Sequence, residues 1–84
     1  MYVKTDYPVI NMVETGRLIK WHLDRAGITV QSLQEYFWFE YPQAIYKWLE
    51  GKSLPRIDNL FALARLLNVN MDDLLICETQ ELAH

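Results

Sequence analysis

Residues 29–51, TVQSLQEYFWFEYPQAIYKWLEG, constrain the fold of this chain more than any other stretch. Thr29 is a good N-cap residue, and Leu33, Tyr36 and Phe37 follow it along one helix face. The run FWFEYP then breaks the period. Pro42 suits the first turn of a new helix, where its missing N–H costs nothing. In that helix Ile45, Trp48 and Leu49 can face inward, leaving Gln43, Ala44, Tyr46 and Lys47 on the other side, and Gly51 stops it. The pattern predicts two short helices joined by a tight corner, with further helices wrapped around them.

The flanks supply the wrapping. Asn11 followed by Glu14 is a capping-box pattern, and Thr15, Ile19, His22, Leu23 and Ala26 form the inward stripe of a first helix. Gly27 ends that helix as a left-handed residue. After the corner pair, a fourth helix is predicted over about Ile57 to Leu67. Leu60, Ala62, Leu63, Ala64, Leu66 and Leu67 make it nearly apolar throughout, so it is expected to be the most buried element. Asn68 takes a left-handed end position, and Asn70 caps a short fifth helix with Asp72 and Asp73 in its first turn. Residues 1–10 read as an extended arm, because Pro8 restricts Tyr7 to extended geometry. Residues 11–76 form the domain, and residues 77–84 have no pattern and are expected to fray.

At 84 residues the chain has room for one domain. No apolar run approaches the ~20 residues a membrane span needs, and the N-terminus has no secretory pattern. Cys77 is the single cysteine. It excludes an internal disulfide and a cysteine-based zinc site, fits a cytoplasmic location, and is expected to pack at the end of helix five. No second His or Cys lies at metal spacing from His22, so no metal and no cofactor are expected. Without a phosphate-binding glycine loop or a catalytic constellation, an enzyme is not expected either. The net charge of −3 is unevenly placed. Residues 1–56 carry seven basic and six acidic side chains, whereas residues 57–84 carry Arg65 against five acids. Positive charge gathers at Lys47, Lys52 and Arg56.

Gly27-Ile28-Thr29, Leu33, the IYKWLEGK run over 45–52, Pro55, LFALARLLNV over 60–69 and MDDLL over 71–75 stand in order at nearly familiar spacing. On these residues the chain resembles the Cro/repressor type of helix-turn-helix domain, the XRE family, over roughly residues 12–76. The resemblance implies an all-α, compact five-helix lambda-repressor-like domain. Its second helix would brace a phosphate backbone and its third would read bases in the major groove of DNA. Three departures lie in the corner. One extra residue separates Leu33 from Ile45, Trp38 stands where the family usually has glycine, and Glu40 and Tyr41 stand where Ser or Thr normally caps helix three. The extra residue is expected to relax the demand for positive φ at Trp38.

Carried over by position, Pro42, Gln43, Tyr46 and Lys47 are the groove-facing candidates, and Gln43 is the foremost because its amide can pair bidentately with adenine. Thr29, Gln31, Lys52 and Arg56 are candidates for phosphate contact. A single copy makes too few base contacts for selectivity, since each good bidentate pair gives only ~1–3 kcal/mol of discrimination. A homodimer on a palindromic operator is therefore expected, with Leu74, Leu75 and Ile76 as interface candidates. In the corner, Phe37 and Phe39 are expected buried and Trp38 or Tyr41 partly exposed. Trp21, off the inward stripe, is expected under partial cover of the arm. The function implied is sequence-specific double-stranded DNA binding by a small transcriptional regulator. The alternative is a protein-interaction module or antitoxin on the same fold, engaging its partner through exposed aromatics.

Overall fold

A computed structural model describes residues 6–81 of the chain. Strand β1 (Asp6–Ile10) leads into helix α1 (Met12–Ala26), followed by α2 (Val30–Phe37), α3 (Gln43–Leu49) and α4 (Ile57–Leu67). A single 3-10 turn (Met71–Leu74) and strand β2 (Cys77–Glu81) complete it. The core is one cluster formed by Ile19 and Leu23 of α1, Leu33 of α2, Ile45 and Trp48 of α3, Leu60, Leu63 and Ala64 of α4, and Leu74.

The local signals act where the residues place them. Asn11 Oδ1 accepts the Glu14 N–H at 3.0 Å. The reciprocal half of the capping box does not form, because Asn11 N–H donates to the Ile76 carbonyl and Glu14 pairs with Arg17. Thr29 Oγ1 accepts the Ser32 N–H to start α2. Gly27 and Asn68 end α1 and α4 in the left-handed region, at φ 72° and 57°.

Two expectations for the C-terminal part are corrected. The fifth helix is only a 3-10 turn: Asn70 and Asp73 close a reciprocal capping box around it, but Leu75 is already extended. The expected fraying tail is instead a strand over Cys77–Glu81, which pairs antiparallel with β1 in the register Ile10↔Cys77 to Asp6↔Glu81. Among the described residues the fold is mostly helical as expected, with four α-helices and a two-stranded sheet in place of five helices. Residues 1–5 of the expected arm and 82–84 of the expected tail lie outside the described residues.

The ribbon is possible because its bonding pattern suits its sequence. The Asn11 N–H donates to Ile76 O at 2.8 Å, so the alternation of an antiparallel ladder turns the backbone N of Pro8 toward the open edge. No ladder bond is lost there. Thr15, 1% exposed, ties the ribbon to α1. Its hydroxyl accepts the Ile76 N–H at 3.0 Å and donates to the Ile76 carbonyl at 3.3 Å. No buried side-chain polar atom among the described residues lacks a partner.

Helix α4 is less buried than its composition implies. Leu60, Leu63 and Ala64 enter the core, but Ile57 is 74% exposed and Phe61 52%. The helix has neighbours on one side only, so its remaining apolar face meets solvent, with the Arg65 guanidinium 5.7 Å from the Phe61 ring. Trp21 is half-exposed, with Arg25 4.7 Å over its ring and His22 meeting it edge-on. Ala26 is exposed, and Cys77 is exposed on β2 instead of packed at a helix end.

Gly16 sets the distance between α1 and α3. A β-carbon there would stand 2.4 Å from the Trp48 carbonyl oxygen and 2.8 Å from that of Leu49. Gly16→Ala would gain ~1 kcal/mol from helix propensity alone. The backbone cannot yield as a side chain can, so a net loss of about 1–3 kcal/mol is expected, read by chemical denaturation. Thr15→Val should cost a similar ~1–3 kcal/mol by stranding the Ile76 N–H, while the Ile76 carbonyl keeps the Asn11 N–H. Hydrogen exchange in β2 should accelerate, whereas Thr15→Ser keeps the hydroxyl and the protection.

Candidate DNA interface

Helix α3 is oriented by what it buries. Ile45 is fully buried and Trp48 nearly so, which fixes the helix about its axis and turns Gln43, Ala44, Tyr46 and Lys47 outward. Gln43, Tyr46 and Lys47 stand at i, i+3 and i+4, so they share one exposed strip. An amide, a phenol and an ammonium on one strip can donate or accept at base edges and phosphates. Among the described residues no ion pair engages Lys47. Pro42 stands half-buried as the N-cap and gives no side-chain cap, which leaves the first amides of this short helix without a protein acceptor from that position.

The expected phosphate contacts fall at the two ends of the pair. The Thr29 hydroxyl is engaged by the Ser32 N–H and lies 3.0 Å from Ser32 Oγ, and Gln31 is exposed in the first turn of α2. Beyond α3 the loop folds back, with Lys52 N–H donating to the Lys47 carbonyl at 2.9 Å. That bond keeps Lys52 at the C-terminal end of the exposed strip. Lys52 Nζ lies 3.2 Å from Glu50 and Arg56 Nε 3.8 Å from Asp58, both exposed pairs. Solvent-exposed pairs of this kind are weak enough to open for a phosphate.

The corner departs from expectation in its backbone. Trp38 adopts φ 59°, ψ 33°, the left-handed conformation that glycine takes most easily. The extra residue therefore lengthens the corner without relaxing that position. Its neighbours explain the result. Phe37 and Phe39 stack with centroids 5.1 Å apart, and each meets the Trp48 ring edge-on, at 5.7 and 6.0 Å. The chain reverses between two inward rings, so Trp38 points out and is 93% exposed. Tyr41 is exposed as well, and Phe37 and Phe39 are half-buried against the core.

One residue of the corner escaped the sequence reading. Gln34 Nε2 donates to the carbonyls of Phe39, at 3.3 Å, and Glu40, at 3.2 Å, bracing the stretch that the added residue lengthens. Its only signal in the sequence is a long amide on α2 one turn before the break. Leu74, an expected interface residue, is fully buried in its own chain, where it closes the core under α4. Leu75 is half-buried and Ile76 exposed.

Two short helices locked at a corner, the second free along one polar face, define the helix-turn-helix class of DNA-binding domain. The chain belongs to the helix-turn-helix family of the Cro/repressor (XRE) type, whose family model matches residues 19–74. No curated protein and no solved structure matches the chain. Both ribbon strands lie outside the matched residues. Among the described residues no helix is long and apolar enough to cross a membrane, and no cluster of metal-ligating side chains occurs.

The left-handed Trp38 yields a prediction. An L-residue with a β-carbon costs ~1–2 kcal/mol in this conformation. Glycine carries an extra unfolded-state entropy of roughly 0.5–1 kcal/mol. Trp38 contributes little burial, so Trp38→Gly should leave stability unchanged or raise it by up to about 1 kcal/mol in thermal denaturation. Gln34→Ala should lower it.

Proposed function

We propose that this protein is a sequence-specific transcriptional regulator that reads the major groove with α3. The observation that carries the reading is the exposed strip of Gln43, Tyr46 and Lys47, held by the burial of Ile45 and Trp48 on the opposite side. Gln43, at the start of the helix, pairs its amide with adenine N6 and N7. Lys47 reaches guanine or a phosphate, Tyr46 offers its ring to a thymine methyl or its hydroxyl to a phosphate, and Pro42 sets the entry of the helix. The α2 amides behind Thr29 and Gln31, with Lys52 and Arg56, hold the backbone on either side.

Two copies act together on a palindrome with half-sites about one helical turn apart. Leu75 and Ile76 are the candidates for the contact between them, while Leu74 serves the core of each copy. Few cations face the DNA and the chain is acidic overall, so sequence-independent affinity is low and selectivity rests on base contacts.

The test is genome-wide DNA capture with the purified protein at low salt. A palindromic motif should be enriched and should vanish with Gln43→Ala combined with Lys47→Ala. Gln43→Ala alone should relax one position of each half-site by about 1–3 kcal/mol. Lys52→Ala should weaken all sequences alike and reduce the salt slope by about one. No enrichment at low salt would sink the proposal.

A further inference from the structure

The corner between α2 and α3 carries a surface that base reading leaves unused. Trp38 is 93% exposed, Tyr41 64% and Tyr36 45%. The indole cannot turn inward, because Phe37 and Phe39 stack on either side of it in sequence and already fill the space against Trp48. Nor can the backbone beneath it relax easily. It is left-handed at φ 59°, and the Gln34 amide clamps the two carbonyls that follow. A large aromatic ring presented to solvent from a constrained backbone is the kind of side chain that anchors an interface.

The charge beside it specifies what it would contact. Glu35 lies one turn back, its carbonyl accepting the Trp38 N–H at 3.1 Å, and Glu40 follows two residues on. Both side chains are exposed, and among the described residues neither forms an ion pair. We propose that this corner docks an arginine-bearing segment of a partner protein, a guanidinium stacking on Trp38 within reach of the Glu35 and Glu40 carboxylates. Arginine satisfies both parts of the surface, since its planar cation stacks on an indole while its fork bonds a carboxylate. Lysine offers a point charge without the plane. Two free carboxylates repel a phosphate backbone, which favours protein over nucleic acid as the occupant. The corner is distinct from the Gln43, Tyr46 and Lys47 strip, so the inference goes beyond the DNA-binding reading without resting on it.

The experiment is an NMR titration of the full chain with a short peptide alternating arginine and glycine, beside lysine and glutamate versions of the same peptide. The arginine peptide should shift the Trp38 indole N–H and the amides of residues 35–41 saturably, leaving the indoles of Trp21 and Trp48 in place. The lysine peptide should bind more weakly and the glutamate peptide should not bind. Trp38→Gly suits the local backbone and keeps the fold, yet should weaken the arginine peptide about tenfold or more. Glu35→Gln with Glu40→Gln should weaken it comparably. Absence of a saturable shift, undiminished binding by Trp38→Gly, or shifts centred on Trp21 would overturn the proposal. So would duplex DNA that perturbs Trp38 more than the peptide does. Genomic capture scores the α3 strip and this titration scores the corner, so the two readings fail separately.

Discussion

The position of α3 depends on a backbone-to-backbone approach between α1 and α3. Gly16 lies against the carbonyls of Trp48 and Leu49, and Gly51, at φ 76°, lies where a β-carbon would stand 2.6 Å from the α-carbon of Val13. Helix α1 and the turn that ends α3 thus each contribute one residue without a side chain at the point where the other needs room. Close packing of this kind has no slack. It brings Trp48 deep enough to serve as the floor for Phe37 and Phe39, and everything in the corner follows from that floor.

The aromatic corner solves a problem that an added residue creates. A longer connection between α2 and α3 has more backbone to satisfy and more freedom to lose. Two stacked rings on Trp48 supply apolar cover, and the Gln34 side chain accounts for two carbonyls. The cost is concentrated at Trp38, a bulky residue in a left-handed conformation with almost its whole surface in water. Strain retained at an exposed aromatic is informative in the same way as an exposed apolar patch. It marks the corner as a surface with its own physics, apart from the polar strip of α3.

Electrostatics divides the molecule in a matching way. Cations cluster at the end of α3 and in the loop beyond it, while the last third is acidic and ends in the β1–β2 ribbon. The ribbon is tied to α1 by Thr15 and by the Asn11 to Ile76 bond. A two-stranded ribbon is marginal alone, so these anchors to the helical core matter to it.

Much of the helical scaffold was legible in the residues. Caps at Asn11 and Thr29, left-handed ends at Gly27 and Asn68, and the inward spacing of Ile45 and Trp48 are local chemistry, decided within a turn or two of chain. The outward strip of Gln43, Tyr46 and Lys47 follows from the same spacing. What sequence could not supply were contacts between distant residues. A glycine inside α1 looks like a weak point until Trp48 is seen against it. Residues 77–81 show no strand pattern because their partner is some seventy positions away and their anchor is a hydroxyl on α1. Helix α4 reads as the most buried element because composition does not say which faces have neighbours, yet Ile57 and Phe61 meet solvent. Trp38 was expected to escape the left-handed position, yet the stacking of Phe37 and Phe39 on a third helix holds it there. The sequence by itself determined which segments are helical and which sides of them are polar, since those depend on nearby residues. Only the tertiary structure decided how close the helices approach, what the corner exposes and where the tail pairs, because each is set by groups that meet only after the chain has folded.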